Sequence, residues 1–345
     1  MSSVTGEKPA LPTSPPIIVY HADCIDGAAS AWIIAKALGG EDAAAKDVAI
    51  FIPYRHNDSK TGEEAVRAAL HTDGAVYFAD LTPEKPFLDE LLASGKDVHV
   101  LDHHTSAAET LGGRKGANLH TCFDPAAPSA AKMIWTHFFP AEKPPAVIGL
   151  IDLMDGAASG LSTPEEFAAA ALIDAQNIHT HEDAFAALRG LAKLNFNDMA
   201  KKGERIDAKH TRLIDQLFEK AAAVHLQILP GGKSFDVPIV NGNLKNYGRR
   251  ISARLVELGR ANGAPAAFMW SLQKNGAVSL YIRTDGDTDA NEIAKHLCKT
   301  TGATGGGHKD AAAVHFASIL DFARHMPMKA LKQPPKVRRE PPSPS

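Results

Sequence analysis

IIVYHADCIDGAASAWIIAKAL, residues 17–38, begins with four β-favouring apolar residues, passes through a polar stretch, and continues with alanine-rich apolar residues at helical spacing. Such a run reads as a strand feeding directly into a helix. Further short apolar runs follow at VAIFIPY (48–54), AVYFA (75–79) and VHVL (98–101), separated by Ala- and Leu-rich segments. Strand and helix alternating over this length predict an α/β fold, with an N-terminal, mostly parallel sheet and flanking helices.

The polar residues gain meaning from that placement. His21, Asp23 and Asp26 follow the first strand, Asp80 follows AVYFA, and Asp102-His103-His104 follow VHVL. In an open parallel sheet, the carboxyl ends of the strands line the ligand crevice. Taken singly, an aspartate there is a turn former or helix cap, and a histidine pair can satisfy itself on the backbone. Taken together, carboxylates crowded at one edge repel each other, and a stable ionised cluster calls for a cation. A metal site is the economical reading.

From about Pro125 to Glu219 the chain reads as mainly helical, ending in the amphipathic DMAKKGERIDAKHTRLIDQLFEK (198–220). Strands resume near Ala223 as VHLQIL, VPIVNG, APAAFMWSL and AVSLYIRT, with a helix at NYGRRISARLVELG. This predicts a first domain over 17–222 that includes a helical connector, and a smaller mixed α/β domain over 223–332. The Pro- and Ser-rich tails, 1–16 and 333–345, are expected to be disordered. In the second domain Arg283 offers a planar fork to phosphate. Gly305, Gly306 and Gly307 let a backbone approach a ligand closely, and His308 adds a donor. Arg249 and Arg250 are weaker candidates, since paired arginines on a helix are usually solvated.

Composition narrows the setting. A net charge of −3 argues against broad coating of nucleic acid, and three dispersed cysteines fit a reducing compartment such as the cytoplasm. The N-terminus lacks a cationic start followed by an apolar core, and no apolar run reaches the roughly 18 to 20 residues that span a bilayer.

With its motifs in this order, the chain resembles the DHH phosphoesterase superfamily, which includes RecJ-like exonucleases, oligoribonucleases, cyclic-dinucleotide phosphodiesterases and family II pyrophosphatases. The first motif resembles His21 to Gly27, the second the Asp80 of YFADLTP, and the third Asp102-His103-His104. The fourth is an aspartate in a helical region, Asp155 in GLIDLMDG, with Asp152 as the alternative. YIRTDGDTDANEIAKHL followed by GATGGGHKDAAAVHF resembles the DHH-associated substrate-binding domain. Several relatives space the first motif as histidine, three residues, aspartate, one residue, aspartate; here the interval is one residue, then two, so that Asp26 aligns better than Asp23.

The resemblance implies two divalent ions, Mn2+ with Mg2+ as the alternative. His21 and Asp23 would serve one ion, Asp26, His103 and Asp155 the other, with Asp80 bridging. Asp102 would orient an imidazole, and His104 would contact the substrate phosphate or help protonate the leaving oxygen. Arg283 and the Gly305–His308 segment would hold the substrate. The implied activity is hydrolysis of short single-stranded RNA or DNA, or of a dinucleotide, as in the oligoribonuclease and RecJ-like branch. A pyrophosphatase-like enzyme, or a nucleotide-binding regulator that has lost catalysis, is the alternative. Convergence of Asp26, Asp80, His103 and Asp155 would favour catalysis.

Overall fold

A computed structural model describes residues 14–39, 49–55, 58–155, 160–176, 178, 180–242 and 248–331. All but residues 14–16 of the two expected tails lie outside these ranges. The chain divides into two compact units, one comprising residues up to 156 together with 160–203, the other running from 204 onward.

The first unit alternates strand and helix: β1 (Ile17–His21), α1 (Ile25–Gly39), β2 (Ile50–Tyr54), α2 (Ser59–Ala69), β3 (Val76–Ala79), α3 (Lys85–Ala93), β4 (Val98–Asp102), α4 (Ala107–Leu111) and β5 (Leu119–Phe123). Helices α5 (Ala130–Phe138), α6 (Ala146–Asp155), α7 (Pro164–Asp174) and α8 (His181–Leu191) follow, then the long α9 (Phe196–Phe218). The five strands form one wholly parallel sheet in the order β2-β1-β3-β4-β5. Both faces are covered, as a parallel sheet requires. In β1, Ile17 and Val19 pack toward α2, α3 and α4, while Ile18 and Tyr20 pack toward α1, α5, α6, α7 and α8. That two-sided burial explains why β1 reads as a continuous apolar run rather than an alternating one. β5 carries a weaker signal: LHTCF is a half-exposed edge strand with polar residues, and its existence is not legible in the sequence.

The strand order reverses between β1 and β3, and a crevice opens at the carboxyl ends of an open sheet at such a switch point. His21 ends β1 and Asp80 directly follows β3. β1 turns into α1 within three residues. Gly27, in the first turn of α1, makes this possible, because a Cβ there would overlap the carbonyl oxygen of His21.

The second unit holds β6 (Ala222–Gln227), β7 (Ser234–Asn241), α10 (Gly248–Ala261), β8 (Ala266–Leu272), β9 (Val278–Thr284), α11 (Ala290–Thr301), β10 (Thr304–Gly307), β11 (Ala311–Phe316), α12 (Ile319–His325) and β12 (Met328–Ala330). Its sheet runs β10-β11-β9-β8-β7-β6-β12 and is mixed: β7 and β8, linked through α10, are parallel, and the other pairs are antiparallel. In β9, Val278, Leu280 and Ile282 join the core covered by α11 and α12, while Tyr281 faces the core built by α9 and α10. Helix α9 serves both units: Met199 and Ala200 are buried in the first core, Ile214 and Phe218 in the second. Arg250 is not simply solvated, since it forms a two-pronged ion pair with Asp207 of α9; the side chain of Arg249 lies outside the described set. Among the described residues, no helix is long and apolar enough to cross a membrane.

Gly27→Ala forces the new methyl into backbone rather than into a movable side chain. It is expected to destabilise the first unit by at least the roughly 1–3 kcal/mol typical of overpacking, read as a lowered denaturant midpoint.

Candidate metal centre

Three aspartates at this edge are almost wholly withdrawn from solvent: Asp26 at 0%, Asp80 at 1% and Asp102 at 1% exposure. Burying a carboxylate is costly unless it is paired or coordinates a metal. Each has a different answer.

Asp26 lies in the first turn of α1 and accepts two backbone hydrogen bonds from the start of α5: Ala130 N–H to Oδ2 at 2.8 Å and Ala131 N–H to Oδ1 at 2.9 Å. Burial still raises its pKa well above the ordinary value, with Asp80 and Asp155 adding to the effect and the Ala131 amide and His103 opposing it. Asp102 accepts from Thr82 Oγ1 at 2.7 Å and lies 2.7 Å from Nδ1 of His104. Burial raises its pKa, but His104 and Thr82 more than offset this and hold it below the usual range. Its imidazole contact is thus with His104, two residues on.

Asp80 divides its two oxygens. Oδ2 lies 3.3 Å from Nδ1 of His21; Oδ1 lies 3.4 Å from Nε2 of His103 and 3.8 Å from Nδ1 of His104. Its backbone is left-handed, φ 61°, a conformation that costs a non-glycine residue free energy and that clusters at functional sites. The imidazoles of His103, His21 and His104 outweigh burial and hold its carboxyl below the usual range.

His103 places its other nitrogen, Nδ1, 3.0 Å from the carbonyl of Ala127. Nδ1 then donates, and Nε2 faces the acids: Asp80 and Asp155 at 3.4 Å each and Asp26 at 3.8 Å. Burial alone would lower its pKa; Asp80, the Ala127 carbonyl and Asp26 prevail and push it up to about 9.

Two donor groups result. His21, Asp80 and His104 can bring ligand atoms within 4.8 Å of one another, and so can Asp26, His103 and Asp155. The residues fit divalent ions on a further observation. Asp80 Oδ1 and His103 Nε2 are buried and, although 3.4 Å apart, are not aligned for a hydrogen bond, so neither has a hydrogen-bond partner among the described residues. Buried polar atoms left without a hydrogen bond in a polar site are what a cation satisfies, once His103 has given up its proton.

Asp23 was expected beside His21 on the first ion, but it stands apart. Its backbone is left-handed, φ 58°, its side chain is 58% exposed, and it accepts from Arg55 Nε at 2.8 Å. The turn between β1 and α1 directs it away, and neither donor group contains it. Asp152, the alternative to Asp155, is also in neither group: it accepts from Ser129 Oγ at 3.0 Å and Lys132 Nζ at 2.6 Å. Cys24 has its thiol pushed well above the ordinary range by burial, then by Asp80, Asp26 and Asp155, and is uncharged.

In the second unit Arg283 is half-buried on β9. Nε donates to Ser252 Oγ and Nη1 to the Ile282 carbonyl, both at 3.0 Å, and no ion pair to it occurs among the described residues. Gly305, Gly306 and Gly307 form the edge strand β10 rather than a loop. A Cβ at Gly305 would overlap the Ala313 carbonyl and one at Gly307 the backbone of Ala311 and Ala312, whereas at Gly306 the nearest atom is Asn291 Oδ1 at 3.6 Å. Two of the three glycines are thus required by pairing with β11. His308 is exposed in the turn that follows, its amide bonded to the Ala311 carbonyl at 2.7 Å.

Two outcomes are expected. Metal coordination needs a neutral imidazole, and the metal-free centre keeps a proton on His103 below about pH 9. Mn2+ binding at pH 7–8 should therefore release protons and tighten as pH rises toward 9, measurable by calorimetry in buffers of differing ionisation enthalpy. Separately, Gly305→Ala and Gly307→Ala should lower the melting temperature, while Gly306→Ala should leave it nearly unchanged.

Residues 242–324 match the DHHA1 domain. No curated protein sequence matches the chain. Among solved structures, the DHH domain of a member of the s1p family of ribosomal proteins aligns with a TM-score of 0.52 at 15% identity, covering 90% of this chain and 84% of that one. CDC45 from Entamoeba histolytica aligns at 0.49 and 7% identity, over 90% and 94% of the two chains. The pGpG-specific phosphodiesterase PggH from Vibrio cholerae aligns at 0.45 and 13% identity, over 91% and 96%. The chain thus carries a match to the DHHA1 domain in its second unit and shares the fold of a DHH-domain protein.

Proposed function

We propose that this protein is a metal-dependent phosphodiesterase acting on short single-stranded RNA or DNA, or on a dinucleotide. The observation that carries the reading is the pair of donor groups joined at Asp80, whose two oxygens point to different imidazoles. Asp26, Asp80, His103 and Asp155 converge, the condition that favours catalysis over a purely regulatory role. The mixture of imidazole and carboxylate suits Mn2+ better than Mg2+, which prefers oxygen and keeps its waters. Two such ions would supply an activated water and neutralise charge on the reacting phosphoryl group.

The chain's own residues have separable tasks. Asp80 would be the shared ligand; with His21 it would serve one ion, and Asp26, His103 and Asp155 would serve the other, which leaves His104 to act on the substrate. His104, with Nδ1 tied to Asp102, has its pKa raised by that bond. This favours the imidazolium, suited to protonating the leaving oxygen. In the second unit Arg283, a half-buried guanidinium near Asp310 but in no direct ion pair among the described residues, suits a substrate phosphate or terminal group. Gly306 and His308, at the open edge beside Asn291, are the parts of the glycine segment left for ligand recognition.

The test is Mn2+-dependent hydrolysis across RNA and DNA of two to about twenty nucleotides, linear and cyclic dinucleotides, and pyrophosphate. Release of mononucleotides from the short members supports the reading. Turnover of pyrophosphate alone, or nucleotide binding without any turnover, overturns it. Asp80→Asn should abolish turnover with the fold intact, and Arg283→Ala should raise KM with little change in kcat. Near-normal hydrolysis by Asp80→Asn would sink the shared-ligand role.

A further inference from the structure

Asp152 and Lys132 belong to neither donor group, yet Asp152 is buried and both of its oxygens are engaged. Following the bonds outward explains why. Ser129 is the N-cap of α5: its hydroxyl accepts from Lys132 N–H at 3.3 Å and donates to Asp152 Oδ1 at 3.0 Å. Lys132 Nζ reaches Asp152 Oδ2 at 2.6 Å. The next two residues, Ala130 and Ala131, are those whose amides hold both oxygens of Asp26. Ser129, at 0% exposure, has no freedom to move independently of this frame. Trp32 of α1 stacks on Trp135 of α5, with ring centroids 6.5 Å apart, so the two helices also meet beyond their first turns.

We infer that Asp152 and Lys132 are positioning residues for the metal centre, acting through Ser129 and the first two amides of α5 to fix the carboxylate of Asp26. The inference rests on the metal reading above and adds a device to it. An Asp26 whose two oxygens each spend one lone pair on a fixed amide can rotate only if α5 moves, so the remaining lone pairs are aimed before a cation arrives. α6, which carries both Asp152 and Asp155, thereby sets two members of one donor group: Asp155 directly and Asp26 at one remove. Outer residues of this kind typically change metal affinity about ten- to a hundredfold.

The experiment titrates the purified full chain with Mn2+ alone, following free Mn2+ by electron paramagnetic resonance, for wild type, Asp152→Asn, Ser129→Ala and Ser129→Thr. Amide hydrogen exchange at Ala130 and Ala131 is read in parallel on the metal-free protein. The expected result is weakening of one of the two sites by about ten- to a hundredfold in Asp152→Asn and Ser129→Ala, the other site unchanged, and recovery in Ser129→Thr. Exchange at Ala130 and Ala131 should quicken in the two weakened variants while the amides of α1 stay protected. Folded variants with wild-type Mn2+ affinity at both sites overturn this inference alone. Equal weakening of both sites with general loss of exchange protection makes Asp152 a stability residue and also overturns it. Wild-type protein that binds no Mn2+ overturns the metal reading and this inference together.

Discussion

A carboxylate sealed from water needs something positive in front of it, and Asp26 has two consecutive amides at the start of a helix. Those amides and the partial positive charge of the helix terminus offset part of the cost of burial. They do not offset all of it, because Asp80 and Asp155 stand nearby and burial dominates. Asp80 has a different solution, in which imidazoles supply the positive charge and only when protonated. Every other choice around the site follows from this shortfall. His103 is tied by Nδ1 to a carbonyl so that Nε2 faces the acids, and His104 is tied by Nδ1 to Asp102. In the metal-free state protons on histidine help balance the charge, work that a cation would take over as those protons leave.

The topology puts this problem where the fold can solve it. β1 and β3 are neighbours at the point where strand order reverses, so the last residue of one and the first residue beyond the other meet. Helices α1 and α5 pack against each other, and near their starts they carry small residues, Ala28, Ala29 and Ala31 on one and Ala130 and Ala131 on the other, all buried in one core. Close approach of the helix starts is what brings amides of α5 within hydrogen-bond reach of an α1 side chain. A bulkier seam would leave Asp26 facing empty space or water.

Much of this was legible in the sequence. Apolar runs flanked by helical spacing placed β1 to β4, and position at strand ends marked His21, Asp26, Asp80, Asp102, His103 and His104. Asp23 shows the limit of spacing: it sits between two site residues in the chain, but a positive φ turns it toward Arg55, and nothing in a residue string announces that dihedral. Ser129 and Lys132 were missed, and Asp152 was weighed only as a ligand, because the bonds that join them are set by packing. A serine before AAKMIW is a readable N-cap, but its link to an aspartate 23 positions later depends on how α5 and α6 pack. The glycine triplet shows the opposite limit, since a run that suggests ligand access also forms an edge strand in which Gly305 and Gly307 are needed for pairing with β11. β5 was hidden by its exposure, which leaves no apolar alternation to see.

Helix α9 has a practical meaning for how the chain can be taken apart. Its first turns complete one core with Met199 and Ala200, and its last turns complete the other with Ile214 and Phe218. A cut after residue 222 would leave the first fragment carrying a helical extension with Ile214 and Phe218 stripped of their cover, and would deprive the second fragment of part of its sheet's lining. A cut near residue 203 divides the core residues correctly but severs a continuous helix, leaving each piece with a frayed, uncapped end. Fragments for separate study are therefore best made to overlap, each retaining the helix from Phe196 to Phe218, with the stranded apolar positions changed to polar ones.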